Sequence, residues 1–545
     1  MNPSRLYHTV RHLKPIQIYG RVLHHCRAPH VSRGAPPPLR RSLRPPADAA
    51  VHRPSMRGPT EFRFLNASGT LTASSDWNDP AVPKLWLYNL HYFDDLGAED
   101  AVERRAWHRQ LIDRWITENP PTRGVGWDPY PTSLRIINWI KSTWRGEPLS
   151  SRADHSLGVQ ARHLQRRMER HLLGNHLFAN AQALVFAGLY FEGPEADAFL
   201  AQGLETLAQE IPEQILPDGG HFERSPMYHA LVLEGMLDLI NWMMARGAQD
   251  RFVWREQVCR MLRWLETLSH PDGEIVLFND AAIGIAPPCE ALFEYAGRLG
   301  ISPAADDSGP IRRLGETGYV RVDQGPAVAF LDLAPLGPDY LPAHGHADTL
   351  GFELSLRGRR VLVDSGTSVY EPGPDRIRQR GTASHNTVRI DGEDSSEVWG
   401  SFRVARRARV SEVSASTEGS VSLVQGAHDG YTRRHGRGLH HRCWELRADR
   451  MTIRDRIEGR GVHEIEVAFH LHPEIEPCGH QGREIELRHR DGGVVGHLAL
   501  DEDLELAIEP STYHPEFGLG LPSHKIVGYR RGPLPCTLSC TLRWS

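Results

Sequence analysis

Nowhere in its 545 residues does this chain carry a run of roughly 18 apolar residues, so no transmembrane helix is expected. The N-terminal stretch, MNPSRLYHTVRHLKPIQIYGRVLHHCRAPH, is basic and mildly amphipathic but lacks the continuous apolar core of a secretory signal. The expected location is therefore cytoplasmic or membrane-peripheral, with the periplasm as the alternative. The stretch itself is expected either to touch a membrane surface or to dock on the protein's own body. The seven cysteines, Cys26, Cys259, Cys289, Cys443, Cys478, Cys536 and Cys540, form no CxxC pair and no zinc-finger spacing. An odd, scattered set argues against a disulfide framework and leans toward a reducing compartment. No charge of one sign dominates either: a formal net charge of −5 and a pI near 6.7 give no hint of a nucleic-acid-binding surface. No internal repeat is clear.

What is present begins with size. The chain is too long for one hydrophobic core and predicts roughly two to four units. At 40% hydrophobic and 24% charged the composition is that of an ordinary soluble globular protein. Histidine is the unusual residue, with 30 spread through both halves.

Residues 28–59 are dense in proline and arginine and read as a linker or a strap over the surface, with strands expected from Phe62 to Thr72. From about Asp76 to Gly300 the apolar period is helical, punctuated by Pro and Gly. Such serial helical hairpins predict a toroid or solenoid of helix pairs. After about Ser308 the pattern turns to short, turn-bounded strands, which predicts a large antiparallel β-sandwich. The expected division is a basic segment and linker over 1–75, an (α/α) toroid over 76–305 and the β-sandwich over 306–545.

The chain is organised around the stretch from Pro342 to Gly392, which gathers His344, His346, Asp348, Asp364, Tyr370 and His385. A tight turn at Gly358 predicts a hairpin between the runs around Phe352–Leu356 and Val361–Val363. If 344–348 is extended, His344, His346 and Asp348 share one face, and His385 sits just before a third strand, Thr387 to Ile390, expected beside the other two. In the helical half, Trp127 and Tyr130 suit sugar stacking, or ordinary packing. Asn175 is placed as an N-cap before an all-apolar helix, and Ser225-Pro226 read as N-cap and N1 of another, with Tyr228 and His229 in its first turn.

Five motifs together resemble the heparinase II/III superfamily of polysaccharide lyases, which includes alginate and oligoalginate lyases. They are GNHLFANAQALVFAGLYF (174–191), DGGHFERSPMYHALVLEG (218–235), HGHADTLGFEL (344–354), VLVDSGTSVY (361–370) and ASHNTVRIDG (383–392). The resemblance implies an (α/α) toroid followed by an antiparallel β-sandwich, with a cleft between them that cleaves uronic-acid polysaccharides by β-elimination. It implies that Asn175 and His176 engage the uronate carboxylate, that Tyr228 and His344 are catalytic, and that His346, Asp364 and His385 hold a structural zinc. Trp127, Tyr130, Glu223, Arg224, His229 and Tyr370 complete the expected substrate contacts.

The chemistry suits those residue types. An ionised uronate resists losing its C5 proton until a donor or cation neutralises the carboxylate, after which a base must reach C5 and an acid O4. Tyrosine or histidine can fill either role. Two imidazoles and a carboxylate suit zinc, although Asp364 could instead only orient His346 or His385. Two other classes stand beside the lyase: an α/α-barrel glycosidase using Glu223 and Asp280, and a catalytically silent polysaccharide-binding protein. The expected partner is an acidic polysaccharide, with no organic cofactor.

Overall fold

The computed structural model describes residues 3–26, 31–41, 44–146, 148–247, 252–305, 309–433 and 436–544. The expected 305/306 domain boundary, and parts of the N-terminal stretch and the Pro/Arg-rich segment, lie outside the described residues. The helical half runs as predicted through Lys84–Tyr92, Arg105–Glu118, Pro129–Ser142, Ser151–Arg167, Gly174–Tyr190, Pro194–Gln214, Pro226–Ala245, Phe252–Thr267 and Cys289–Arg298. Proline at the first helical position starts several of these, where a missing N–H costs nothing. Helices Gly174–Tyr190 and Pro226–Ala245 are apolar nearly all round and lie in the centre of the core. Among the described residues no helix is long and apolar enough to cross a membrane.

The Pro/Arg-rich segment is a strap. Arg40 N–H donates to the Tyr190 carbonyl, Ala47 N–H to Asn241, and the Arg162 guanidinium holds the Gly34 and Ala35 carbonyls, so the segment is pinned along the outside of the helices. It leads into a small sheet of Met56–Gly58, Glu61–Phe64 and Ala67–Thr70.

The second half is built on two large antiparallel sheets, together with a two-stranded ribbon of Val398–Trp399 and Arg403–Val404. Five strands run in the order Ile311–Leu314, Tyr319–Gln324, Ala327–Asp332, Phe352–Leu356, Arg359–Leu362. The ten-stranded sheet is built on the long strands Arg450–His470 and Leu521–Arg543, and the strand Val388–Ile390 also pairs with the first of these. The turn at Gly358 is the predicted hairpin, with Arg357 and Gly358 both at positive φ as a two-residue turn of this hand requires.

Two sequence expectations change. Residues 344–348 form an irregular loop, so alternation does not set which way their side chains face. And the His385 strand joins the ten-stranded sheet, not the hairpin's. The groups of the central stretch therefore meet between the sheets, not along one surface.

The halves share a core. Trp264, Leu268, Val276 and Phe278 pack with Leu314, Tyr319, Phe330 and Ala334, and Phe278 stacks on Tyr319 at 5.3 Å. Val363, Tyr513 and Phe517 reach into the helical core. Burying a large apolar side chain contributes about 1.5–3 kcal/mol, so this joint holds the cleft walls in fixed register.

Candidate active site

The cleft wall from the helical half is made by two helix starts. Ser225 caps Pro226–Ala245 as predicted: its hydroxyl accepts from Tyr228 N–H at 3.3 Å and donates to the Asp280 carbonyl at 2.6 Å. That places Tyr228 in the first turn, facing the sheet half. The other helix begins at Gly174, with Leu173 preceding it, so Asn175 is not the N-cap. Gly174 sits at φ +55° with Glu223 Oε1 and Leu341 packed where a side chain would stand. Asn175 uses its backbone N–H on the Glu223 carboxylate. Its amide side chain takes no partner among the described residues. His176 bonds Glu169 through Nδ1 at 3.1 Å and lies on the Tyr130 ring, 4.4 Å between centroids. Burial opposes its charge, but Glu169 outweighs that, and its pKa is raised.

From the sheet half comes the HGH loop. His344 stacks on Tyr228 with centroids 4.2 Å apart, and its Nε2 is 3.6 Å from Glu223 Oε2. The Tyr228 hydroxyl is 3.1 Å from the Tyr370 hydroxyl. Asn175, Glu223, His344, Tyr228 and Tyr370 thus form one chain of contacts across the joint. Burial, then the neighbouring Tyr370, raises the Tyr228 pKa well above the phenol range. Burial likewise raises that of Glu223, whose Oε2 has no hydrogen-bond partner among the described residues.

Asp280 is the anchor. His344 Nδ1 lies 2.8 Å from its Oδ2 and His346 Nε2 2.9 Å from its Oδ1, while Arg376 grips both oxygens. Burial opposes its charge, but Arg376 and the two imidazoles keep its pKa well below the usual carboxylate range. A carboxylate only accepts, so both histidines donate to it. His344 then turns Nε2 toward the cleft, and His346 turns Nδ1 inward.

Inward lies a second group. His346 Nδ1 and His385 Nε2 are buried without hydrogen-bond partners among the described residues, and with the Asp348 carboxylate their ligand atoms fall within 4.8 Å of one another. Burial lowers the His346 pKa to about 4, which leaves the lone pair available. Asp364, expected as a ligand, instead bonds His385 Nδ1 at 2.6 Å and fixes which nitrogen faces the cluster. Asp348 takes its place in the donor set.

Three expected substrate contacts lie elsewhere. Trp127 is buried against Trp115 and His163. His229 is fully buried, bonded to the Met261 carbonyl and stacked on Trp264. Arg224 spends its guanidinium on the carbonyls of Phe222, Glu316 and Thr317. Sequence reading missed Arg376 and Glu169, for which no local pattern stands out. It treated Asp280 only as a glycosidase carboxylate, a role closed to it because the four donor contacts from His344, His346 and Arg376 occupy the lone pairs of its two oxygens.

Two family models match the chain, the heparinase II/III N-terminus over residues 97–287 and the heparinase II/III-like C-terminal region over 306–531. The chain belongs to the heparinase II/III superfamily. A heparin-sulfate lyase of Bacteroides stercoris is 26% identical over 241 residues, 41% of this chain and 36% of that one. The chain therefore spans little more than a third of the length of that relative. FtsZ-localized protein C of Caulobacter vibrioides is 24% identical over 495 residues, 84% of this chain and 81% of that one. A heparan sulfate lyase structure from Pedobacter heparinus superposes with a TM-score of 0.60 at 18% identity, over 97% of this chain and 88% of that one, and shares the toroid-and-sheet fold.

Proposed function

We propose that the protein is a carbon–oxygen lyase that cleaves a uronic-acid-containing polysaccharide by β-elimination. The observation that carries this reading is the convergence of Tyr228, His344, Asn175 and Glu223 from two folding units on one cleft. The uronate carboxylate lies against the Asn175 amide, His176 and the Glu223 carboxyl, whose pKa burial raises, and these groups stabilise the charge that builds as C5 loses its proton. His344, held through Nδ1–H by Asp280, accepts that proton at Nε2. Tyr228, protonated at rest, delivers its proton to the departing O4. Tyr130 and Tyr370 flank the sugar.

His346, Asp348 and His385 would hold a zinc ion, which supplies a fixed positive charge that ties the HGH loop to the sheets. Metal analysis of the purified protein tests this: one zinc per chain supports the site, and no bound metal overturns it.

A second reading has its own support. FtsZ-localized protein C matches along most of both chains, and its name gives a location and no reaction. A catalytically silent polysaccharide-binding protein is the corresponding function. Incubation with heparan sulfate, heparin, hyaluronan, alginate and bacterial exopolysaccharides separates the two: ultraviolet-absorbing ends that vanish in Tyr228→Phe support the lyase, and binding without them supports the alternative.

A further inference from the structure

The N-terminal helices are built inside-out. In Pro15–Cys26 the positions that face the protein are, apart from the partly buried Ile16, polar or small: Gln17 donates to the Tyr340 carbonyl at 3.0 Å, Gly20 lies against His171, and the His24 ring packs on His171 at 4.5 Å. Its apolar residues Ile18, Tyr19, Val22 and Leu23, at i, i+1, i+4 and i+5, face solvent. Pro3–Val10 repeats the arrangement, with Thr9 bonded to the Trp399 indole while Leu6, Tyr7 and Val10 point out. These seven side chains are 41–60% exposed, and they make up seven of the sixteen exposed large apolar residues among the described ones. A helix that only docked on its own protein would bury that stripe.

Charge identifies the occupant. No Asp or Glu occurs before Asp48, whereas Arg5, Arg11, Lys14, Arg21, Arg27, Arg33, Arg40, Arg41 and Arg44 precede it. Arg5, Arg11 and Arg21 are exposed on or beside the two helices. We propose that this face docks on an anionic lipid bilayer, with the apolar stripe in the headgroup–acyl boundary and the arginines on the lipid phosphates. The inference is independent of the lyase reading, because none of these residues lines the cleft. The helix Pro15–Cys26 rests on Tyr340 and His171, next to the loops that carry Leu341 and Gly174, so docking sets the cleft beside the bilayer.

Flotation of the full chain with vesicles tests it. The chain is expected to rise with phosphatidylcholine vesicles containing phosphatidylglycerol, and not with phosphatidylcholine alone. The variant Ile18→Ser/Tyr19→Ser/Val22→Ser/Leu23→Ser is expected to lose more than about tenfold of that partitioning. Its melting temperature should be unchanged, since all four side chains are exposed. Arg5→Gln/Arg21→Gln is expected to lose about fivefold per charge. The proposal is overturned if the wild type does not rise with phosphatidylglycerol, or if the fourfold variant rises as well as the wild type. It is equally overturned if, without vesicles, the wild type is a dimer and that variant a monomer, because the face then joins two copies of the chain.

Discussion

His344 and His346 stand two residues apart on one loop and bond the two oxygens of one carboxylate, yet their environments are opposite. His344 keeps a ring nitrogen at the cleft, among Tyr228, Glu223 and Phe402. His346 is fully buried, and its remaining nitrogen faces Asp348 and His385. In the proposed roles a lone pair committed to a cation cannot carry protons, so the two tasks would need two histidines, and Asp280 sets both orientations at once. The comparison teaches that reactivity here follows from which ring nitrogen the shared carboxylate occupies, not from residue type.

The substitution that should erase the distinction is Asp280→Asn. It leaves the buried Arg376 uncompensated, and breaking such a pair costs about 3–5 kcal/mol. Chemical denaturation should show that loss, and turnover should fall with it. Next come the two histidines, which should separate cleanly. His344→Ala is expected to lower turnover about 10²–10⁴-fold, the usual worth of a proton-transfer group, with the melting temperature nearly unchanged. His346→Ala is expected to lower metal content and melting temperature together. Equal effects of both variants on melting would break the comparison.

Trp127 and Tyr130 offer a smaller contrast in the helical wall. Trp127→Ala should destabilise the fold by about 3–5 kcal/mol with little change in KM of the surviving enzyme, as expected of a core aromatic. Tyr130→Ala should raise KM at nearly constant stability.

The smallest effect concerns Glu223. Its folded pKa is raised above the ordinary 4.5, chiefly by burial, so the native state holds that proton more tightly than the unfolded chain. Stability from this group is present below 4.5 and is lost as pH rises through the folded value. Glu223→Gln removes the dependence, and the difference in melting temperature between variant and wild type should shift in the variant's favour as pH rises through that window.

Much of this architecture is legible in the sequence because its causes are local. Apolar period and Pro or Gly punctuation mark the helical half as running from about Asp76 to Gly300, and the helices of that half run from Lys84 to Arg298. Ser225-Pro226 announces a cap, and Arg357-Gly358 announces a hairpin. The site is legible where side-chain chemistry alone suffices, as for Tyr228 and His344. It fails where the answer depends on what meets across the joint. Asp348 and Asp364 look alike in sequence; only the packing of the strand Val388–Ile390 on the second sheet gives one to the donor cluster and the other to the back of His385. Trp127 and His229 sit beside true cleft residues in the chain, but helix rotation turns both into the core. Arg376 and Arg380 lie one turn apart on the short helix Pro374–Arg380, one holding Asp280 and the other the Gly345 carbonyl of the HGH loop. No spacing rule marks such a brace.

The central claim is that the joint between the two halves performs an elimination. The most direct measurement follows ultraviolet absorbance of the unsaturated uronate while the wild-type chain and His344→Ala act on the same uronic-acid polysaccharide. Rising absorbance with the wild type, and none with a variant that melts at the same temperature, is the predicted result. New reducing ends without absorbance, or an equal rise from both proteins, would contradict the account.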